Sequence, residues 1–275
     1  MPFFEIDGGR LFYEDQGEGN PPMVFVHGLA CAQVDWRHQL SHFRATHRVV
    51  SHDQRGHGRS VDCESGFDIE HFGADVAALM AHLKLPPAVL IGHSMGCRVV
   101  LECARIAPAR IAGLVLIDGS RLAAEDPRAA RGKLLKAIED TGYEAFVDGF
   151  FSQMFTDTSD TPTREAIVAR AGGLAQTVIL DVLSNGIFWD SNVVQPAFES
   201  VKVPMTVIQS TYLNGQRQRV SIEPGESTPW LELVKALVPD AHIEIQPGIG
   251  HFTMLEAPDD VNRHIESLLA RITGN

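Results

Sequence analysis

Gly92-His93-Ser94-Met95-Gly96 places a serine between two glycines, each two positions away. The run before it, Ala88-Val89-Leu90-Ile91, reads as a buried strand, and Cys97-Arg98-Val99-Val100-Leu101-Glu102 starts a helix. A strand that turns sharply into a helix strains the backbone at the serine. The glycines leave room for that turn, and the hydroxyl is presented at a helix N-terminus. A serine hydroxyl is a poor nucleophile until a neighbouring base takes its proton. Of the twelve histidines, His251 fits that role best. It stands in Pro247-Gly248-Ile249-Gly250-His251-Phe252, just after the last expected strand. Sites in parallel sheets form at the carboxyl ends of strands, and a late histidine matches the chain order serine, acid, histidine. His27, His52, His57 and His93 read as loop or turn residues near the site.

Such a pair needs a scaffold. Strands are expected at residues 11–14, 23–26, 47–52, 88–91, 114–117, 205–208 and 242–245, with Gly8-Gly9 as a hairpin turn before the first. These runs are apolar throughout instead of alternating, which suits a parallel sheet covered on both faces. Helices are expected at 69–83, 97–107, 230–237 and 258–272. The first carries Phe72, Val76, Leu79, Met80 and Leu83 at amphipathic spacing. Strand–helix alternation gives an α/β fold. Between 122 and 198 the rhythm breaks: helical patterns recur at 133–141, 143–155, 164–171 and 175–185, with no convincing strand. That is too long for a plain crossover. Residues 122–198 are therefore expected to form an inserted helical cap, with 1–121 and 199–275 as the two parts of one α/β core.

At this point the chain resembles the α/β-hydrolase fold family. His27-Gly28 after a strand is similar to the family's oxyanion loop, and Asp53-Gln54-Arg55-Gly56-His57-Gly58-Arg59-Ser60 to its D-x-R-G-x-G-x-S loop. Pro247 to Pro258, with Gly250-His251-Phe252 and Glu256-Ala257-Pro258, resembles its catalytic-histidine segment. The match covers residues 11–120 and 200–272 and leaves out the cap. The resemblance implies a mostly parallel central sheet flanked by helices. It also implies an oxyanion hole built from the backbone N–H groups of Met95 and Leu29, with Ala30 as a neighbouring candidate.

The third triad member departs from the commonest family pattern. The acid usually follows the strand read here at 205–208, but Gln209-Ser210-Thr211-Tyr212-Leu213-Asn214-Gly215 holds no carboxylate. Some family members, including certain lactone hydrolases, carry the acid one strand earlier. Here that strand ends Leu116-Ile117-Asp118-Gly119-Ser120, and Asp118 is assigned the role of fixing the His251 tautomer and stabilising its imidazolium. Glu223 and Glu226, in the insertion 216–227, are the alternatives.

Around this centre, Trp36, His93, Phe151, Met154, Phe155, Phe188 and Trp189 are the candidate pocket residues, since such pockets are mainly apolar. Asp53 and Arg55 read as loop buttresses, and Cys31 and Cys97 as small apolar fillers. Asp181 and Asp190 have no assigned role. No metal-ligand spacing, P-loop or dinucleotide fingerprint is present, so neither metal nor cofactor is expected.

The net charge of −12 argues against nucleic acid and anionic membranes as partners. No apolar stretch is long enough for a membrane span, no export signal is visible, and the four cysteines form no C-x-x-C pair; a cytoplasmic protein is expected. The expected partner is a small-molecule substrate, with a homodimer left open. The leading reading is hydrolysis of a carboxylic ester or lactone of a small hydrophobic molecule. The alternatives are a carbon–carbon bond hydrolase of a ring-cleavage diketone, a cofactor-free dioxygenase, and a slow-turnover small-molecule receptor of the same fold.

Overall fold

The computed structural model describes residues 3–216 and 218–274. The chain opens with β1 (Phe3–Ile6) and β2 (Gly9–Gln16), followed by β3 (Met23–Val26), α1 (Arg37–Phe43), β4 (Val49–His52) and α2 (Ile69–His82). Then come β5 (Ala88–His93), α3 (Met95–Ile106) and β6 (Ile111–Ile117). Five helices follow without a strand: α4 (Pro127–Thr141), α5 (Tyr143–Ser152), α6 (Thr161–Gly172), α7 (Gln176–Asn192) and α8 (Val194–Glu199). The chain ends with β7 (Met205–Gln209), β8 (Thr211–Leu213), β9 (Arg219–Ser221), α9 (Pro229–Leu237), β10 (His242–Ile245), α10 (Thr253–Glu256) and α11 (Pro258–Thr273).

Eight strands form one sheet in the order β1-β2-β4-β3-β5-β6-β7-β10. From β4 to β10 every pairing is parallel, whereas β1–β2 and β2–β4 are antiparallel. Strands β3, β5 and β7 are buried at every position, as their unbroken apolar runs require. Helices α2 and α3 pack together over β5, while α11 packs on β6 and β7 with α1 beside it. The parallel strands aim their carboxyl ends at one rim, and the inserted helices sit over that rim.

The elements differ from the sequence expectation in a few places. The first hairpin turns at Asp7-Gly8, with Gly9 already in β2 and Phe3 to Ile6 forming an unforeseen edge strand. Helix α4 begins at Pro127, six residues earlier than the apolar spacing suggested. Its start is set by the Asp126 side chain, which accepts from the Ala129 N–H, and by proline at the first helical position. The polar stretch after β7 is not a plain insertion, because β8 and β9 pair there as an antiparallel hairpin. Among the described residues, no single helix is long and apolar enough to cross a membrane. All four cysteines are buried free thiols.

The inserted helices are clamped to the core by charge as well as by apolar contact. Arg98 of α3 makes a two-point pair with Asp190 of α7, with Nε and Nη2 each 2.8 Å from a carboxylate oxygen. Arg98 Nη2 also donates to the Ser120 carbonyl at 2.6 Å, and the Leu122 N–H donates to Asp190. The Asp190 side chain is fully buried. Removing one member of such a pair strands the other charge away from water. Asp190→Ala is expected to cost about 3–5 kcal/mol of stability. Urea unfolding at neutral pH checks this, and a change under about 1 kcal/mol would show that the pair does not hold the insertion in place.

Candidate active site

Ser94 occupies the turn between β5 and α3 with φ 55° and ψ −114°, a conformation that L-residues rarely adopt. Strain of this kind costs on the order of 1–3 kcal/mol and persists only where the surroundings enforce it. Here the Ser94 N–H is tied to the Ile117 carbonyl at 2.9 Å. The flanking glycines are sterically required: a Cβ on Gly92 would lie 2.3 Å from the Gly96 carbonyl oxygen, and one on Gly96 would lie 2.3 Å from that of Val26. Gly28 matters for the same reason, since a Cβ there would press on Ser94 Cβ at 3.0 Å and on His93 Nδ1 at 3.1 Å.

The structure brings Ser94, His251 and Asp118 together. His251 Nε2 lies 2.8 Å from Ser94 Oγ, and His251 Nδ1 lies 2.5 Å from Asp118 Oδ2. Asp118 ends β6 with φ 50°, its N–H donating to the Ile208 carbonyl at 2.7 Å. Its Oδ1 accepts from the Ser210 N–H at 2.8 Å, the Thr211 N–H at 2.7 Å and the Gln209 amide at 3.0 Å. Its Oδ2 accepts from His251, the Thr211 hydroxyl and, at 3.3 Å, Arg219 Nη1. Burial alone would push this carboxyl up. The His251 hydrogen bond and charge, then Arg219 and Thr211, outweigh it and leave the carboxyl below the usual carboxylate range. Glu223 and Glu226 are exposed, and the Glu226 carboxylate accepts from the Glu223 N–H, so neither reaches His251.

The histidine loop is fixed at several points. The His251 N–H donates to the Met154 carbonyl at 2.8 Å, and the His251 carbonyl accepts from His93 Nε2 at 2.8 Å. Glu256 accepts from the Gly250 N–H at 3.2 Å and from the Ser159 hydroxyl at 2.6 Å. Burial, the Arg219 charge and, more weakly, Arg98 push the His251 imidazole down to about 4, against the opposing pull of Asp118. His251 is therefore neutral at neutral pH, donating from Nδ1 and accepting at Nε2, the tautomer that a general base for Ser94 requires.

Leu29 and Met95 both line the space in front of Ser94. Met95 is the first residue of α3, so its N–H has no carbonyl within the helix. The Leu29 N–H makes no hydrogen bond among the described residues. The loop carrying Leu29 is held from the insertion: Arg170 of α6 donates to the Ala30 carbonyl at 2.8 Å and pairs with Asp35 at 2.6 Å. Asp53 and Arg55 act as buttresses. Asp53 accepts from the Gln33 and Arg59 N–H groups, and Arg55 forms a two-point pair with Asp75. His27, His52 and His57 are buried near this loop. Burial keeps the Cys97 thiol up at about 12, and Cys31 is raised for the same reason. Among the described residues, no group of three or more His, Cys, Asp or Glu is placed to hold a metal ion.

A cavity of about 360 Å3 opens above Ser94. Of the expected pocket residues, His93 and Met154 line it. Trp36, Phe151, Phe155, Phe188 and Trp189 do not. Trp36 is fully buried against Phe25, and Trp189 points at α3, donating to Glu102 at 3.2 Å. Phe155 stacks behind Phe252, with ring centroids 4.9 Å apart. Helical phase explains the remaining two. On α5 the cavity takes Phe146, Gly149 and Phe150, so Phe151 turns into the packed interior. On α7 it takes Val182, Leu183 and Ile187, so Phe188 falls off that face. Arg98 and Arg219 also line the wall. Nothing local marked Arg219, which lies 101 residues from the carboxylate it touches.

A model of the alpha/beta hydrolase family matches residues 23–264. The chain is 29% identical over 279 aligned positions to a non-heme haloperoxidase from Rhodococcus erythropolis, covering 98% of this chain and 99% of that one. A solved structure described as an N-acyl homoserine lactone degrading enzyme superposes with a TM-score of 0.77 at 24% identity, covering 97% and 99% of the two chains. The enol-lactonase from Burkholderia xenovorans superposes with a TM-score of 0.75 at 24% identity, covering 98% and 100%. These two structural likenesses speak for the fold.

The charged and titratable groups around His251 are Asp118, Arg219, Arg98 and His93, and His93 is itself pushed down to about 3 by burial and by His251. A lowered imidazole keeps its basic form until the pH falls through its own pKa. The rate of fluorophosphonate labelling at Ser94 is therefore expected to stay level below neutral pH and to fall with a midpoint of about 4, not 6.5. Labelling rate against pH checks this, and an inflection near the unperturbed histidine value would contradict it.

Proposed function

Since the chain belongs to the alpha/beta hydrolase family, we propose that it hydrolyses carboxylic esters or lactones of small, largely hydrophobic molecules through an acyl-enzyme on Ser94. The observation that carries this reading is the unbroken relay from Ser94 Oγ through His251 to Asp118, at 2.8 and 2.5 Å, at the floor of an apolar cavity. In the first step Ser94 Oγ attacks the carbonyl carbon while His251 Nε2 takes its proton. The N–H groups of Leu29 and Met95 receive the developing oxyanion, a contact of a kind whose loss costs about 2.7–4 kcal/mol of transition-state stabilisation. His251 then returns the proton to the departing alkoxide. In the second step His251 takes a proton from water, whose oxygen attacks the acyl carbon; Ser94 regains its proton and a carboxylic acid leaves. With a lactone, the alcohol and acid remain one molecule.

The full-length relative named as a haloperoxidase favours one second reading of the same site. If hydrogen peroxide replaces water in the second step, its oxygen attacks the acyl carbon and a peracid leaves in place of the acid. Peracid formation from an acyl donor and hydrogen peroxide tests that variant.

Short aryl esters are the first substrates to try. Wild-type protein should hydrolyse them and take up a single fluorophosphonate adduct by intact mass, and Ser94→Ala should do neither. Asp118→Asn, which disturbs the His251 tautomer while leaving the shape intact, should lower kcat by about 10⁴. An untouched ester together with an unlabelled Ser94 would defeat the proposal. Near-normal turnover by Asp118→Asn would remove Asp118 from the relay.

A further inference from the structure

The polar part of the cavity wall is unbalanced. Its only charged side chains, among the described residues, are two arginines, Arg98 and Arg219; no carboxylate lines it. The rest of the lining is mainly leucine, valine, isoleucine, phenylalanine and methionine, with Ser94, Ser120, Thr141, Gln153, His93 and His251 as its uncharged polar members.

Arg98 is largely satisfied by Asp190 and the Ser120 carbonyl. Arg219 is not. It reaches in from β9, and its side chain is only 4% exposed. Nη1 donates to Thr211 Oγ1 at 2.7 Å and, at a long 3.3 Å, to Asp118. Nε and Nη2 have no hydrogen-bond partner among the described residues. Asp118 cannot take them, because each of its oxygens already accepts three hydrogen bonds. A guanidinium carries five donors and does not give up its proton, and the idle donors here are not sealed off, so they stay open to a ligand. Nε and Nη2 form one flat edge of the guanidinium, and that edge matches the two oxygens of a carboxylate.

We propose that Arg219 is a carboxylate-binding subsite inside the cavity. The preferred substrate then carries a carboxylate at one end and the scissile ester or lactone carbonyl at the other, with an apolar chain between them. This rests on the hydrolase reading for the carbonyl end only. Leu134 of α4, Phe146 and Phe150 of α5, and Val182, Leu183 and Ile187 of α7 hold the middle of the molecule, and Arg219 fixes its far end.

The test uses nitrophenyl hemiesters of glutarate, adipate and suberate, each beside its methyl-capped neutral counterpart. Binding is measured to Ser94→Ala, which leaves the ester intact, so that a product acid in the oxyanion hole cannot imitate the subsite. At least one hemiester should bind at least about tenfold tighter than its neutral counterpart, the size expected for a charge-assisted contact. Adding Arg219→Gln should abolish that preference, and Arg219→Lys should keep part of it. Equal affinity for charged and neutral members throughout the series overturns the proposal. So does a preference that survives Arg219→Gln. If the glutamine variant does not fold, the charged-against-neutral comparison in Ser94→Ala and its salt sensitivity decide the matter. A wild type that hydrolyses none of these esters, while Ser94→Ala still prefers the carboxylates, would fail the hydrolase reading and leave the subsite standing.

Discussion

A fully buried carboxylate, Asp118, is the constraint around which this site is organised. A lone carboxylate in such a place would take up a proton or force the structure open. It is kept ionised because donors converge on it from several elements: the backbone and side chains at the end of β7, the hairpin β8–β9, and the loop of His251. Those donors exist because β6 and β7 are parallel neighbours ending at the same rim. The absence of a carboxylate after β7 is thus the other half of the arrangement. Gln209, Ser210 and Thr211 form a cradle for the carboxylate that ends the neighbouring strand. Gly119 completes it, since a Cβ there would lie 2.5 Å from the Trp230 ring.

The same rim explains how the inserted helices become part of the chemistry. Two arginine–aspartate pairs bridge the inserted helices and the core, one beside Ser94 and one beside the Leu29 loop. Arg98–Asp190 joins α7 to the helix that begins immediately after Ser94. Arg170–Asp35 joins α6 to the loop that carries Leu29. Buried pairs add little net stability over apolar replacements, but they are intolerant of misplacement. Here they register the helices over the cavity against Ser94 and the Leu29 loop, and if these act as proposed an error of about 1 Å would be felt in the rate.

What could be read from the sequence follows from the range of the interactions involved. Ser94, its glycines and His251 sit in local patterns whose geometry is set by a few neighbouring residues, and the apolar strands announce a doubly covered sheet. The start of α4 was also locally written, in Asp126-Pro127, although its apolar spacing was not. The cavity wall was not readable in this way. Phe150 faces the cavity and Phe151 the interior because of the phase of α5 against its neighbours, and composition cannot set that phase. Trp36 is an apolar residue close in sequence to His27-Gly28, but neither property fixes which way its ring turns, and it packs on Phe25. Arg219 is hidden for a stronger reason: its partners, Asp118 and the cavity, are assembled only when β9 folds back on β8.

Arg219 also bears on the strength of the base. In the proposed mechanism, proton transfer from Ser94 would turn His251 into an imidazolium, and a buried cation nearby opposes that step. Part of the negative charge of Asp118 is already shared with Arg219, so His251 is a weaker base than the Asp118 contact alone would give. A neutral ligand leaves that opposition in place. A carboxylate seated on Arg219 cancels the guanidinium's field where the imidazolium must form, because in a low-dielectric cavity opposite charges compensate over short distances that water would otherwise screen. An anionic substrate end would then do more than hold the molecule in place: it would relieve the electrostatic penalty on the proton transfer itself. Binding energy gained far from the carbonyl would in that way be expressed at the reacting atoms, which is where it raises turnover.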